Sequence, residues 1–422
     1  MDRIHQVSSV DYERVFLGLS AIFFVSLLYS FFALSLAMIS FGVLALFDLR
    51  LSPVSISWRG TFPFELARIL DQPSWWVISI PFFLVFFGAF YSDDTVYWLT
   101  RIRIKLPFLL FPLAFFLLPP ISKRCYQSIH LIFLVVISVS TLPVIWQMLV
   151  EYDQILLRLQ QGQAIDTPGN HIRYSLLTAL AALSGFLLWK DAYFPRKSWQ
   201  AKVILIVSLG LCAFLHFLAV RSGLVVLYFA GFILWLKHVR KRDLNRKSIY
   251  MLLGLLLLPL GAYLLVPSFN NRVHYMLEDI SKYRDQKWNA YSDSERILSI
   301  RAGLAITRSN WPIGVGPGDI KSEMRDYFYK QYDKDTYILP HNQFVTISAS
   351  SGIVGLLAFF IFLLVPLFSH GHYRNEFFLA AYIVILISLI VENTFETSVG
   401  VAIFIFFSLI GLNQMKIFQA TE

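Results

Sequence analysis

The stretch Ile249–Pro267, IYMLLGLLLLPLGAYLLVP, carries no charged residue and decides the fold class of this chain. An α-helix needs roughly 20 apolar residues to cross the hydrocarbon core of a bilayer, so this stretch has the composition and length of a membrane span. Hydrophobic residues make up 57% of the 422 residues and charged residues only 15%. Only a helix satisfies its own backbone in lipid, and no period-two alternation indicates a barrel. The sequence therefore predicts an all-α, polytopic membrane protein.

Similar apolar runs recur along the chain and predict about twelve transmembrane helices. The predicted spans are 15–34, 35–48, 75–91, 104–121, 128–150, 174–190, 200–219, 222–237, 249–267, 343–369, 377–394 and 398–415. The first two divide one apolar run, Val15–Leu49, that is too long for one helix and is interpreted as a tight helical hairpin. The chain is divided accordingly into a first transmembrane bundle (1–266), one large polar loop (267–341) and a second bundle (342–422).

The short loops predict the orientation, because Lys and Arg are retained on the cytoplasmic side of a membrane. With the N-terminus inside, the cytoplasmic loops receive the basic clusters, of which residues 237–247 form the largest. Both termini are then cytoplasmic and the loop 267–341 faces outward. Arg101, Arg103 and Lys105 lie on the wrong side in this scheme. This topology explains the net charge of +9, and no nucleic-acid partner is predicted, since no basic stretch is interleaved with exposed aromatic residues.

Charged residues are scarce in the middle of the spans, so chemistry is expected at the outer surface. Arg221 lies at the outer mouth of the seventh and eighth spans, where an arginine either anchors a helix end or serves a function. Arg296 follows Ser292 and Glu295, which have the spacing of a capping box and predict a helix start. An arginine in the first turn opposes the helix macrodipole, and a bound phosphate would resolve that conflict. A solvated surface arginine is the alternative.

The predicted helix at Arg296 has an apolar face formed by Ile297, Leu298, Ile300, Leu304 and Ala305. It is followed by residues 312–318, PIGVGPG, which do not match a nucleotide-binding loop and are interpreted as a shaped turn.

His341 follows Pro340 and precedes Asn342, a predicted helix cap for the apolar run that starts at Phe344. A helix N-terminus disfavours the charged imidazolium, so we expect His341 to be neutral and available as a base near physiological pH. A structural role is the alternative, because a lone histidine at a membrane surface is often structural.

In their order and spacing, these motifs resemble those of the O-antigen ligase and polymerase superfamily. The resemblance depends on Arg221, Ser294-Glu295-Arg296, Gly314-Val315-Gly316-Pro317-Gly318, Pro340-His341-Asn342 and Gly352-Ile353-Val354-Gly355-Leu356. It implies a GT-C-like fold and an enzyme of the bacterial inner membrane with its active site in the periplasm. Such an enzyme moves a glycan from undecaprenyl pyrophosphate onto an acceptor, which in ligases is the lipid A core, with no cofactor or metal. The resemblance implies that Arg221 and Arg296 hold the pyrophosphate and that His341 acts on the acceptor hydroxyl, with inversion of the sugar.

Further residues are secondary candidates. Arg301 lies five positions after Arg296 on the same predicted helix and is its rival for the phosphate. His171 and Arg173, in a segment that resembles part of some ligase relatives, are expected to contact glycan or phosphate. The adjacent Asp93 and Asp94 resemble the acidic motif of metal-using membrane glycosyltransferases but lack its usual intervening residue, so no metal site is predicted.

Three hypotheses for the function remain open at this point. Ligation to the lipid A core is one; polymerisation of O-antigen units or transfer of a glycan to protein, within the same superfamily, is the second. The third is a flippase or exporter of a lipid-linked saccharide. A flippase would explain the bundle and the arginines but not an outer loop with His341, and it predicts a polar path at the midplane that the spans lack.

Overall fold

The computed structural model describes residues 2–51, 54–59, 68–161, 163–242, 246–284 and 292–419, and these are almost entirely helical. The described elements are α1 (Asp2–Tyr29), α2 (Phe31–Leu46), β1 (Phe47–Leu51), β2 (Val54–Trp58), α3 (Pro73–Trp76), α4 (Ile80–Phe87), α5 (Thr95–Leu117), α6 (Lys123–Val150), α7 (Tyr152–Gln160), α8 (His171–Lys190), α9 (Trp199–Leu218), α10 (Arg221–Arg242), α11 (Arg246–Leu265), α12 (Pro267–Arg284), α13 (Ser292–Ser309), α14 (Ile320–Tyr332), α15 (Gln343–Phe368), α16 (Glu376–Val391) and α17 (Ser398–Gln419). Short 3₁₀ turns occur at Val77–Ser79, Gly88–Phe90, Ser369–Arg374 and Thr394–Glu396.

The predicted all-α membrane fold is confirmed. Among the described residues, nine helical segments are long and apolar enough to cross a membrane. Helices α2 and α16 are equally apolar but shorter, and α5 coincides with the predicted span 104–121 while carrying three basic residues. A helix or a run of short helices therefore lies at each of the twelve predicted spans. The predicted division of the chain at residues 266 and 341 was based on hydropathy and stays a prediction.

The apolar run Val15–Leu49 forms the predicted helical hairpin. α1 ends at Tyr29 and α2 begins at Phe31, and the side chain of Ser30 between them accepts a hydrogen bond from the Ala33 N–H at 3.2 Å. An N-cap of this kind satisfies one of the free donors at a helix start.

A two-stranded antiparallel sheet follows α2 and was not predicted. β1 pairs with β2 so that Phe47 lies opposite Trp58, with their ring centroids 5.4 Å apart. The Arg59 guanidinium closes this hairpin with a hydrogen bond to Asp48 at 2.9 Å and another to the Leu117 carbonyl at 2.8 Å.

The chain divides into two compact units. The first comprises residues 1–126 and 296–422, and its core is a cluster of phenylalanine rings. The rings of Phe23 and Phe406 stack with centroids 4.3 Å apart, and Phe41 packs at an angle to both. Because lipid tails are as apolar as these rings, close packing rather than transfer from water holds the helices of this unit together.

The second unit comprises residues 127–295, with the mostly buried helix α8 packed against α9 and α10. Small and polar residues let these helices approach each other closely. A Cβ atom added at Gly223 would lie 2.7 Å from the Ser175 Cβ, and the Ser208 hydroxyl donates a hydrogen bond to the Ala182 carbonyl. Packing of small residues together with side-chain hydrogen bonds is a common way for membrane helices to associate.

Candidate active site

In the first unit, the carboxylate of Glu392 lies between two of the predicted site residues. Arg296 donates a hydrogen bond from Nη2 to Glu392 Oε1 at 2.7 Å, and His341 Nδ1 lies 3.1 Å from Glu392 Oε2. The side chains of Arg296 and His341 are each 28% exposed, so solvent and substrate can reach them. A carboxylate beside Nδ1 favours the tautomer with the proton on that nitrogen, which leaves Nε2 able to accept a proton. A histidine held in this way by a carboxylate has one ring nitrogen free to accept a proton.

The backbone of His341 is held between two elements. Its N–H donates to the Ser299 hydroxyl at 3.2 Å, and that hydroxyl donates to the Arg296 carbonyl at 2.8 Å. Asn342 caps α15 by accepting from the Val345 N–H at 3.1 Å, as predicted, while its amide donates to the Ile390 carbonyl near the end of α16. Ser299 thus connects the two residues whose side chains contact Glu392.

Helix α13 begins at Ser292, as predicted, although the side chain of Ser292 and with it the predicted capping box lie outside the described residues. The predicted apolar face of this helix is partly wrong. Leu304 is 43% exposed, whereas Ser299 and Gly303 are buried. A Cβ atom added at Gly303 would lie 2.7 Å from the Pro340 ring, so only a small residue allows this close approach to the segment that carries His341. The pattern of large apolar residues could not indicate a contact made by small ones.

The glycine-rich segment 312–318 is inserted into a break in α15. At Gly352 the backbone leaves the helical conformation, with φ of 64°, and a Cβ atom there would lie 1.7 Å from the Pro312 carbonyl oxygen. The Ile353 N–H donates to that same oxygen at 2.9 Å, and the Val315 N–H donates to the Ala349 carbonyl at 3.0 Å. These bonds replace those that the helix loses, which a membrane protein requires. The segment 312–318, predicted to be a turn, therefore packs against α15 at the break in this helix.

Glu396 forms a second ionic cluster in the same unit. Its carboxylate lies 2.9 Å from Lys105 Nζ, 3.0 Å from Arg101 Nη1 and 2.9 Å from the Gln343 amide nitrogen. Burial raises the pKa of Glu396, but the charges of Lys105 and Arg101 outweigh burial and lower this pKa to about 2. Arg101 and Lys105 are two of the three residues in conflict with the predicted orientation; the third, Arg103, is exposed and stays in conflict with it. Because Arg101 and Lys105 pair with a carboxylate inside the protein, they are not the loop charges to which the orientation rule applies.

Arg301 and the two adjacent aspartates have different surroundings from Arg296. Arg301 is exposed on α13, whereas its rival Arg296 is partly buried. The Asp94 carboxylate caps α5 by accepting from the Tyr97 N–H at 2.8 Å. In the part of the chain that the structure describes, no group of three or more His, Cys, Asp or Glu side chains is arranged to hold a metal ion.

The remaining predicted residues, Arg221, Arg173 and His171, belong to the second unit. His171 is the first residue of α8 and Arg221 the first residue of α10. Next to them, the hydroxyls of Ser175 and Ser222 lie 3.4 Å apart, so the beginnings of the two helices are adjacent. The predicted convergence of these residues with His341 stays a prediction.

Arg221 also lines a largely apolar cavity of about 600 Å³ within the second unit. A second arginine, Arg272 of α12, lines the same cavity, and the other walls are formed by side chains such as Phe229 and Leu256. An apolar cavity whose walls include two arginine residues suits a ligand with an anionic head and a hydrocarbon chain.

Sequence reasoning missed Glu392, Glu396 and Arg272. Both glutamates lie in the short connection Glu392–Thr397 between α16 and α17, which separates two strongly apolar helices. The sequence did offer a signal for these glutamates, because two carboxylates lie in one short connection on the side predicted to face outward. Their partners are at least 51 residues away in the sequence, so no local spacing could identify them.

Comparison with curated proteins gives no match. A family model described as O-antigen ligase matches residues 206–360. The matched segment begins in α9, includes Arg221, Arg296 and His341, and ends in α15 after the break at Gly352. That match supports the assignment of the chain to the O-antigen ligase and polymerase superfamily, which the order of its motifs predicted.

Proposed function

We propose that this protein is an O-antigen ligase, which transfers a glycan from undecaprenyl pyrophosphate to the lipid A core oligosaccharide. The enzyme would lie in the bacterial inner membrane with cytoplasmic termini and a periplasmic site, and would need no metal. The observation that carries the proposal is the pairing of His341 with Glu392 inside a chain that has an O-antigen ligase segment.

The proposed reaction begins at the acceptor hydroxyl. His341 Nε2 takes the hydroxyl proton while the oxygen attacks C1 of the donor sugar, and the bond between C1 and the diphosphate oxygen breaks with its electron pair leaving on the diphosphate. A single displacement from the opposite face inverts the anomeric centre. Glu392 holds the imidazole in the required tautomer and stabilises the imidazolium that forms, as expected of a carboxylate beside a histidine base.

The arginines are assigned to the donor diphosphate. Negative charge accumulates on the diphosphate as the sugar leaves, and preorganised guanidinium groups stabilise it. Arg296 is supported by its position beside the base, where it already binds a carboxylate anion. Arg221 is supported by the cavity that it lines with Arg272, which suits a polyprenyl diphosphate. Arg301, Arg173 and His171 are proposed as secondary contacts.

A polymerase or a protein O-oligosaccharyltransferase of the same superfamily is the second candidate. The base and the arginines serve these reactions equally well, since only the acceptor differs. A flippase is disfavoured because it has no use for a histidine oriented by a carboxylate at the outer surface.

Deletion of the gene separates these candidates. Loss of a ligase leaves long glycans on the lipid carrier and bare lipid A cores, whereas loss of a polymerase leaves cores bearing single units. Loss of a protein oligosaccharyltransferase leaves the lipopolysaccharide normal and removes glycan from protein. With purified protein, the ligase should join donor to lipid A core and continue to do so in excess chelator. Bare cores with no lipid-linked chains in the deletion strain would contradict the proposal.

A further inference from the structure

Tyr97, Lys321 and Tyr337 form an aromatic and cationic surface, here named the Lys321 patch. The Lys321 ammonium lies 4.8 Å from the ring centroid of Tyr337 and 5.8 Å from that of Tyr97. Tyr337 is 43% exposed, and the other two side chains are half-buried. Within the described residues, no carboxylate pairs with Lys321, so its positive charge is held between two rings and remains available to a ligand.

Hydrogen bonds between the backbone segments that carry the Lys321 patch hold two of its residues in place. Lys321 lies in the first turn of α14, and the Asp319 carboxylate just before this helix accepts from the N–H groups of Asp93 and Asp94, each at 2.8 Å. Asp94 in turn caps the helix that carries Tyr97. Tyr97 and Lys321 are therefore held in place relative to each other by hydrogen bonds that leave the patch itself uncovered. Such preorganisation lowers the entropy cost of binding a ligand.

The Lys321 patch is connected to His341, the proposed catalytic base, in two ways. Tyr337 lies four residues before His341 in the same irregular segment, residues 333–342, between α14 and α15. On the other side, the Arg101 guanidinium lies 4.6 Å from the Tyr97 ring centroid and pairs with Glu396. Glu396 accepts a hydrogen bond from Gln343, two residues after His341. The patch is thus connected, by chain and by side-chain contacts, to the residue that would receive the acceptor proton.

We infer that the Lys321 patch is a subsite for the acceptor, which it recognises as an anionic saccharide. The inference rests on the proposed function. Tyrosine rings offer flat, apolar faces on which a sugar ring can stack, with little side-chain entropy lost on binding. The ammonium of Lys321 offers a charged hydrogen-bond donor to a phosphate or carboxylate on the saccharide. The subsite would orient the acceptor so that its hydroxyl meets His341 Nε2.

The test uses purified full-length protein, saturating lipid-linked donor and two acceptors, a phosphorylated core oligosaccharide and the same oligosaccharide after dephosphorylation. Lys321→Ala should raise KM for the phosphorylated acceptor at least about tenfold, the effect of losing one ionic hydrogen bond, with kcat nearly unchanged. It should leave KM for the dephosphorylated acceptor near the wild-type value. Tyr337→Ala should raise KM for both acceptors. Lys330→Ala, at an exposed lysine of the same helix, is the matched control.

Direct binding is measured in parallel by saturation-transfer NMR of the phosphorylated oligosaccharide, so that the result does not depend on turnover. A signal in the wild type that weakens in Lys321→Ala but not in Lys330→Ala supports the subsite. Equal KM values and equal binding in Lys321→Ala, Tyr337→Ala and Lys330→Ala would overturn it, even if the wild type transfers glycan normally. Absence of transfer in the wild type, with binding that depends on Lys321, would instead count against the proposed function and retain the saccharide site.

Discussion

Replacement of Glu392 by glutamine changes one oxygen to nitrogen without changing the size of the side chain, and it should abolish most of the transfer activity. The carboxylate presents one oxygen to Arg296 and the other to His341, whereas a glutamine has an acceptor oxygen at only one of these two positions. When the glutamine oxygen accepts from Arg296, its NH2 group faces His341 Nδ1. This arrangement favours the histidine tautomer that is protonated on Nε2. That tautomer cannot accept the proton of the acceptor hydroxyl.

The expected loss in kcat is on the order of 10³-fold, equivalent to about 4 kcal/mol of activation free energy. A tautomer change in the histidine base of a serine protease costs roughly 10⁴-fold, while loss of a residue that supports a metal ligand costs roughly 10- to 100-fold. Glu392 combines orientation of the histidine with support of Arg296, which it also contacts. KM for the donor should rise less than kcat falls.

The assay is the initial rate of glycan transfer by purified protein at saturating donor and acceptor, with thermal unfolding measured on the same samples. Glu323→Gln, at an exposed glutamate of α14, is the control for loss of a negative charge. A kcat for Glu392→Gln within twofold of that control, with both proteins folded, would refute the role of Glu392 in orienting the base.

Three further predictions concern stability. Glu396→Ala should destabilise the fold by about 3–5 kcal/mol, because it leaves the buried ammonium of Lys105 without its carboxylate; an unchanged melting temperature would contradict this. In the wild type, the stabilisation from Glu396 is fully present above its ordinary pKa of 4.5 and is lost as the pH falls towards the lowered value of about 2. The melting temperature should therefore fall more steeply below pH 4.5 in the wild type than in Glu396→Gln, and parallel curves would argue against the ionic cluster. Gly352→Ala should lower the melting temperature strongly, since the added methyl would overlap the Pro312 carbonyl oxygen, whereas Gly18→Ala, with open space around it, should not; equal effects would show that the break in α15 is dispensable.

Hydropathy was sufficient to predict the membrane fold, because the length and composition of a span are local properties of the sequence. The helical hairpin in Val15–Leu49 illustrates this, since the excess length of the apolar run indicated two helices and Ser30 caps the second. The break at Gly352 was not predicted. Its cause is the approach of the Pro312 carbonyl from another part of the chain, and a glycine in an apolar run does not by itself indicate that approach.

The candidate site was predicted only in part, because only some of its residues can be recognised from their neighbours in the sequence. His341 and Arg296 could be singled out because each is predicted at the start of a helix. A helix start disfavours positive charge, so a histidine or an arginine there suggests a function. Glu392 could not be assigned to them, because 51 residues separate it from His341. Lys105 was the one local trace of the Glu396 cluster, since a lysine inside the predicted span 104–121 requires a carboxylate partner somewhere in the fold.

In the proposed mechanism, His341 is the base of a glycosyl transfer. The most direct measurement compares transfer and donor binding for the wild type, His341→Ala and the exposed-histidine control His370→Ala. We predict that His341→Ala binds the lipid-linked donor as the wild type does but transfers glycan at least about 10²-fold more slowly, the usual effect of losing a general base. His370→Ala should match the wild type in both measurements. Transfer by His341→Ala at the wild-type rate would contradict the account.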